Sequence, residues 1–100
     1  MAAQKMTLQQ IERGLKDLPG WELQNEKLHR QLKFKNFVQA WGFMTQVAIL
    51  AESADHHPEW SNVYSRVTID LTTHEAGGIS QRDFDLAQKI NEVLAAMGMS

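Results

Sequence analysis

Three of the four histidines of this chain gather in one stretch: His56 and His57 are adjacent, and His74 follows a little later. Imidazole is the side chain whose ordinary pKa lets it take up or release a proton near neutrality. A cluster of imidazoles is therefore a candidate acid–base site. Pro58 pushes the backbone of His57 into the extended region. Neighbours in a regular strand face opposite ways, but in a proline-punctuated loop at a helix end both rings are free to converge on one pocket. His74 stands just before Gly77-Gly78, a loop that presents a side chain readily. Glu52, Asp55 and Asp83 are the flanking acids that could orient or charge-tune the rings. Exposed loop histidines support no core, so their loss should leave stability nearly unchanged.

Plainer roles compete for several of these residues. Asp83 stands three positions after Ser80, where a helix cap alone accounts for it. Glu52 also fits a solvated helix position, and Trp41 and Trp60 fit a core or an interface. His29 lies among Lys27, Gln31 and Lys33 on the wet face of a strand pattern and is assigned no role. A metal site is disfavoured: adjacent histidines are poor spacing for two ligands on one ion, and no H-x-x-x-H pair exists. The chain has no cysteine, which excludes disulfides, thiolate metal sites and cysteine nucleophiles. There is no G-x-S-x-G, and Gly77-Gly78 alone is no phosphate loop.

The elements that must position these side chains fit one small domain. A chain of 100 residues buries roughly 65% of the surface its unfolded form exposes, enough for a single core. Its 43% hydrophobic and 22% charged residues argue against disorder. A net charge of −2 argues against a basic nucleic-acid footprint. No apolar run approaches a membrane span, and the N-terminus has no signal-peptide core, so a cytoplasmic protein is expected.

Residues 1–6 read as a flexible tail before a single domain over 7–100. Thr7 and Gln10 form a capping box, Leu8, Ile11, Leu15 and Leu18 give a helical stripe, and Pro19-Gly20 stops it. Trp21 to Leu23 is a short strand, and Lys27 to Lys35 alternates as a half-buried one with Arg30 as the exception. Asn36 caps a long helix whose stripe is read as Phe37, Trp41, Met44, Ala48 and Ala51, widened by Val38, Val47 and Leu50. A stripe that wide suggests cover by the sheet and by a partner subunit. Val63 to Leu71 fits either one long strand or a hairpin about Tyr64-Ser65. Ser80 opens a last helix with Phe84, Ala87, Ile90, Leu94 and Met97 inward. Helices segregated to one face of a small antiparallel sheet are the natural packing.

The run Glu52-Ser53-Ala54-Asp55-His56-His57-Pro58-Glu59-Trp60-Ser61-Asn62-Val63-Tyr64 is followed by Thr72-Thr73-His74-Glu75 and Gly78-Ile79-Ser80-Gln81-Arg82-Asp83. Together they closely resemble the pterin-4a-carbinolamine dehydratase family. The likeness extends upstream through Phe34 to Phe37 and Trp41 to Met44, and covers all but the tail. It implies an α+β fold: a four-stranded antiparallel sheet with three helices packed on one face, in the order α-β-β-α-β-β-α, which favours the hairpin. It implies dehydration of 4a-hydroxytetrahydrobiopterin, released by aromatic amino acid hydroxylases, to quinonoid dihydropterin. No metal or organic cofactor is implied. The family's catalytic positions fall on His56, His57 and His74, with Glu52 and Asp83 as supporting acids and Pro58 and Trp60 beside the substrate. Homodimers or homotetramers are implied. A second implied role, in some animal members, is as a cofactor of a homeodomain transcription activator. Another pterin as substrate is a third reading.

Overall fold

A computed structural model of the protein describes residues 2–99. Met1 of the expected tail and Ser100 of the expected domain lie outside the described residues. Helix α1 is Leu8–Leu15, and strands β1 (Glu22–Gln24) and β2 (Lys27–Lys33) follow. Helix α2 is Phe37–Ala54, β3 is Glu59–Val63, β4 is Arg66–Leu71, and α3 is Gln81–Ala96. The strands form one antiparallel sheet in the order β1-β2-β4-β3. The three helices lie against one face of it, giving the α+β order α-β-β-α-β-β-α.

The core follows from period-two alternation meeting helical stripes. Leu28 and Leu32 of β2 share a face with Val67, Ile69 and Leu71 of β4. Against them pack Phe43 and Val47 of α2 and Phe84, Ile90 and Leu94 of α3. Each such side chain contributes about 1.5–3 kcal/mol by leaving water. All three helix starts are capped as their sequences require. The Thr7 hydroxyl accepts from Gln10 N–H, Asn36 Oδ1 from Gln39 N–H, and Ser80 Oγ from Arg82 N–H.

Between β3 and β4 the hairpin forms, not one long strand. Tyr64 adopts a left-handed φ of 53°, unusual for a bulky residue. The Asn62 side-chain amide steadies the turn by donating to the carbonyls of Tyr64 and Arg66, at 3.0 and 2.9 Å.

Four expectations shift. First, α1 stops at Leu15, and a tight turn carries Leu18 into the core by its N–H to the Leu15 carbonyl. Second, β1 begins one residue late because Trp21 turns inward, its indole N–H donating to Asn91 Oδ1 at 2.8 Å. Third, the buried face of α2 is Ala40, Phe43, Met44, Val47 and Ala51. Phe37, Val38, Trp41, Ala48 and Ile49 are exposed, so the apolar stripe is two stripes and the expected one mixed them. Fourth, His29 is buried, not wet. It does lie on the sheet face away from the helices, but Glu22 and Asp70 flank it directly across the strands, and its Nδ1 meets Asp70 Oδ1 at 2.8 Å. Arg30, the exception in the alternation, faces the helices and donates to the Pro19 carbonyl and to Asn91 Oδ1. Burial lowers its pKa from the ordinary guanidinium value.

The far end of the expected tail is docked. Met6 N–H donates to the Ile79 carbonyl at 2.8 Å, and Met6 packs on the core.

Candidate active site

The C-terminus of α2 delivers the first two histidines. Asp55 takes a left-handed conformation, φ 51° and ψ 43°. The N–H of His56 then returns to the Ala51 carbonyl and that of Asp55 to Glu52, which together close a Schellman motif. Asp55 therefore ends the helix, and the structure shows it no histidine partner. Pro58 forbids further helix and leads into β3.

His56 points inward. Its Nε2 meets Asp83 Oδ1 at 2.6 Å, and Asp83 is wholly buried. Asp83 Oδ2 accepts from the Thr73 hydroxyl at 2.8 Å and from Ser80 N–H at 2.9 Å. A carboxylate has no proton to give, so all three partners must donate. Hence His56 carries its proton on Nε2. The Thr73 hydroxyl, its one proton committed, accepts from the Ser80 hydroxyl at 2.6 Å. Asp83 is thus a cap and a histidine clamp at once, one oxygen for each. The expectation that all three histidines are exposed fails at His56.

His57 is exposed, and its Nε2 donates to Glu52 Oε1 at 2.9 Å. His74 opens a 3₁₀ turn, His74–Ala76, in a loop whose base is pinned by reciprocal hydrogen bonds between the backbones of Thr73 and Gly78. The ring of His74 is exposed, with Nε2 3.2 Å from Glu59 Oε2. Glu59 also holds Lys27 Nζ at 2.5 Å. That ammonium, more than any other neighbour, keeps the Glu59 carboxyl below its ordinary range, so Glu59 is charged near neutrality. Glu59 in turn raises the Lys27 ammonium above its own.

The three histidines thus share one arrangement: each sets Nε2 against a carboxylate, and among the described residues no hydrogen bond occupies Nδ1. Two carboxylates also join the loops. Asp83 ties His56 to Thr73, the neighbour of His74. Glu59 ties His74 to the strand that begins two residues after His57, a span of at most about 7 Å of chain. Glu59, Lys27 and Thr73 were missed by sequence reasoning. Pro58 is half-buried in the segment between α2 and β3. Trp60 sits across from Ile69 on the helix-covered face and packs on the core. Among the described residues, no group of three or more His, Asp or Glu side chains gathers as a metal site requires.

A cavity of about 600 Å³ opens beside His74. The segment around Met6, the start of α1, the β1–β2 turn and the loop after β4 surround it. His56 and His57 line none of it.

The chain is similar to known proteins along nearly its whole length. The family described as Pterin 4 alpha carbinolamine dehydratase matches residues 4–93. A protein of Prochlorococcus marinus (strain MIT 9303), provisionally named pterin-4-alpha-carbinolamine dehydratase, is 55% identical over 91% of this chain and 95% of its own. One from Chelativorans sp. (strain BNC1), named in the same provisional way, is 50% identical over 95% of this chain and 99% of its own. A crystal structure described as a transcriptional coactivator/pterin dehydratase from Brucella melitensis superposes with a TM-score of 0.87 at 40% identity, covering 90% of this chain and 98% of that one. With the family match spanning the site and nearly every element around it, the chain belongs to the pterin-4-alpha-carbinolamine dehydratase family.

Proposed function

We propose that the protein dehydrates 4a-hydroxytetrahydrobiopterin to quinonoid dihydropterin by histidine acid–base catalysis. The observation that carries this is the triplet of imidazoles, each backed by its own carboxylate, on two loops that Asp83 and Glu59 join. The substrate carries a hydroxyl on C4a, next to N5. Hydroxide leaves poorly, so an imidazolium gives it a proton as the C4a–O bond breaks, and water departs. A neutral imidazole removes the N5 proton, and the electrons of that N–H bond become the new C4a=N5 double bond. His74 and His56 are the acid–base pair at the leaving hydroxyl, and His57 binds and orients the pterin. Asp83, Glu52 and Glu59 fix Nε2 of the three rings so that Nδ1 faces the substrate. The step needs no metal and no organic cofactor.

Stopped-flow decay of freshly generated 4a-hydroxytetrahydropterin tests this. His74→Ala should lower turnover by roughly 10²-fold, the usual worth of a positioned acid. The double change at His56 and His74 should leave little beyond spontaneous dehydration. Wild-type turnover in the double variant would end the mechanism.

The biological setting proposed is cytoplasmic recycling of tetrahydropterin beside an aromatic amino acid hydroxylase. No described helix is long and apolar enough to cross a membrane. The exposed apolar face of α2, with Phe37, Val38, Trp41 and Ile49, supports a homo-oligomer. It equally suits the second reading, an interaction module for a transcription factor, which should survive loss of the histidines.

A further inference from the structure

Lys27 and Glu59 form an ion pair that the sheet itself does not require. Strand β4 lies between their strands, so the Lys27 side chain reaches over two strand spacings, about 10 Å, to bring Nζ to Glu59 Oε1. Both side chains are half-exposed, and exposed ion pairs contribute little to stability. The pair has another consequence, because the second oxygen of the same carboxylate, Oε2, faces His74 Nε2 at 3.2 Å. Resting on the dehydratase reading above, we infer that Lys27 is a positioning residue for His74: it takes up one oxygen of Glu59 and part of its charge, and so keeps the imidazolium a ready proton donor.

A carboxylate opposite an imidazolium favours the charged ring and so weakens it as an acid. A carboxylate shared with an ammonium still orients the ring but holds its proton less tightly. Lys27 suits this duty because it stays charged across the range in which imidazole titrates. Its bond to Glu59 first, and the nearby charge of Asp70 less, raise the ammonium above its ordinary value. Other charged groups around the ring have partners or places of their own. Glu75, next in the chain, has Oε1 3.4 Å from Arg82 Nη1. Asp70, directly across from Glu59, meets His29 Nδ1 at 2.8 Å. Lys5 and Glu26, one of each sign, line the cavity that His74 and Lys27 share. Among the described residues, Glu59 is the carboxylate that reaches the His74 ring.

The test is the pH profile of kcat by stopped flow, together with NMR titration of the His74 ring signal. Lys27→Met keeps an apolar stem and removes the charge. It should move the alkaline limb of the profile and the His74 midpoint up by about 0.5–1 pH unit, with KM changed less than about twofold. Lys27→Arg restores a cation and should restore the wild-type midpoint. Glu59→Gln should move the midpoint the other way. In that background Lys27→Met should move it little further, since the effect passes through the carboxylate. A midpoint that stays or falls in Lys27→Met overturns the inference while leaving the dehydratase reading intact. So does a raised KM with an unmoved profile, which would place Lys27 on the substrate instead. Wild-type protein that does not accelerate the dehydration overturns the dehydratase reading, and the inference with it.

Discussion

Removing His56 and removing His74 should have different consequences for the fold. Asp83 is wholly buried, and His56 supplies one of its three donors. His56→Ala leaves a buried carboxylate short of one charge-assisted bond, which costs about 1–3 kcal/mol. His74 is exposed and faces a solvated carboxylate, so His74→Ala should change stability by less than about 0.5 kcal/mol. Urea melts of the two variants check this, and equal loss would contradict the buried clamp. Asp83→Asn separates the two duties of that side chain. Its amide oxygen can still accept from Ser80 N–H and Thr73, so the cap largely survives. Its NH₂ turned to His56 now donates, which forces the His56 proton from Nε2 to Nδ1. Turnover should fall at least tenfold, and ring ¹⁵N shifts should report the exchanged tautomer. Undiminished turnover would leave Asp83 as a cap alone. Sequence spacing made the cap legible, since Ser80 and Asp83 stand three apart. The clamp was not legible, because it joins residues 27 positions apart in sequence.

Among the elements, the helices were read well where one side of them is wet and less well where both are apolar. The stripe of α3 came out with Phe84, Ala87, Ile90 and Leu94 inward. On α2, exposed Phe37 and Trp41 were grouped with buried Met44 and Ala51, because apolar residues circle the helix and hydropathy cannot phase them. His29 shows the same limit in a strand. Alternation assigned its face, but burial came from Glu22 and Asp70 on neighbouring strands, whose register no local pattern reveals. Glu59 was hidden likewise, since its place beside His74 depends on the β3–β4 hairpin. One packing detail yields a sharp test. A Cβ at Gly14 would lie 2.6 Å from the ring of Phe84, so α1 approaches α3 only because that side chain is absent. Alanine normally favours a helix over glycine by up to about 1 kcal/mol. Here Gly14→Ala should instead destabilise by about 1–3 kcal/mol, because the buried Phe84 ring must move. A raised melting temperature would show that the contact yields.

At the scale of the whole molecule, the sheet and helices leave one surface unexplained by the monomer. Phe37, Val38, Trp41 and Ile49 stand 45%, 78%, 50% and 65% exposed on a single helix, and Phe37 meets Trp41 edge to face with ring centroids 6.1 Å apart. Large apolar groups scattered singly need no explanation, but four on one exposed helix face suit a contact surface. The proposed occupant is a second copy of the chain, whose α2 offers the same patch, as a two-fold contact requires. The three histidines lie on loops, Glu59 on β3 and Asp83 on α3, and of the candidate-site residues only Glu52 shares α2 with the patch, so assembly and turnover should be separable. Trp41→Glu with Ile49→Glu places charge in the contact without touching the core. Sedimentation should show wild-type protein as a homodimer or homotetramer and the double variant as a smaller species, with turnover per chain retained. A wild-type monomer at all concentrations would refute self-association and leave the patch to a different protein partner.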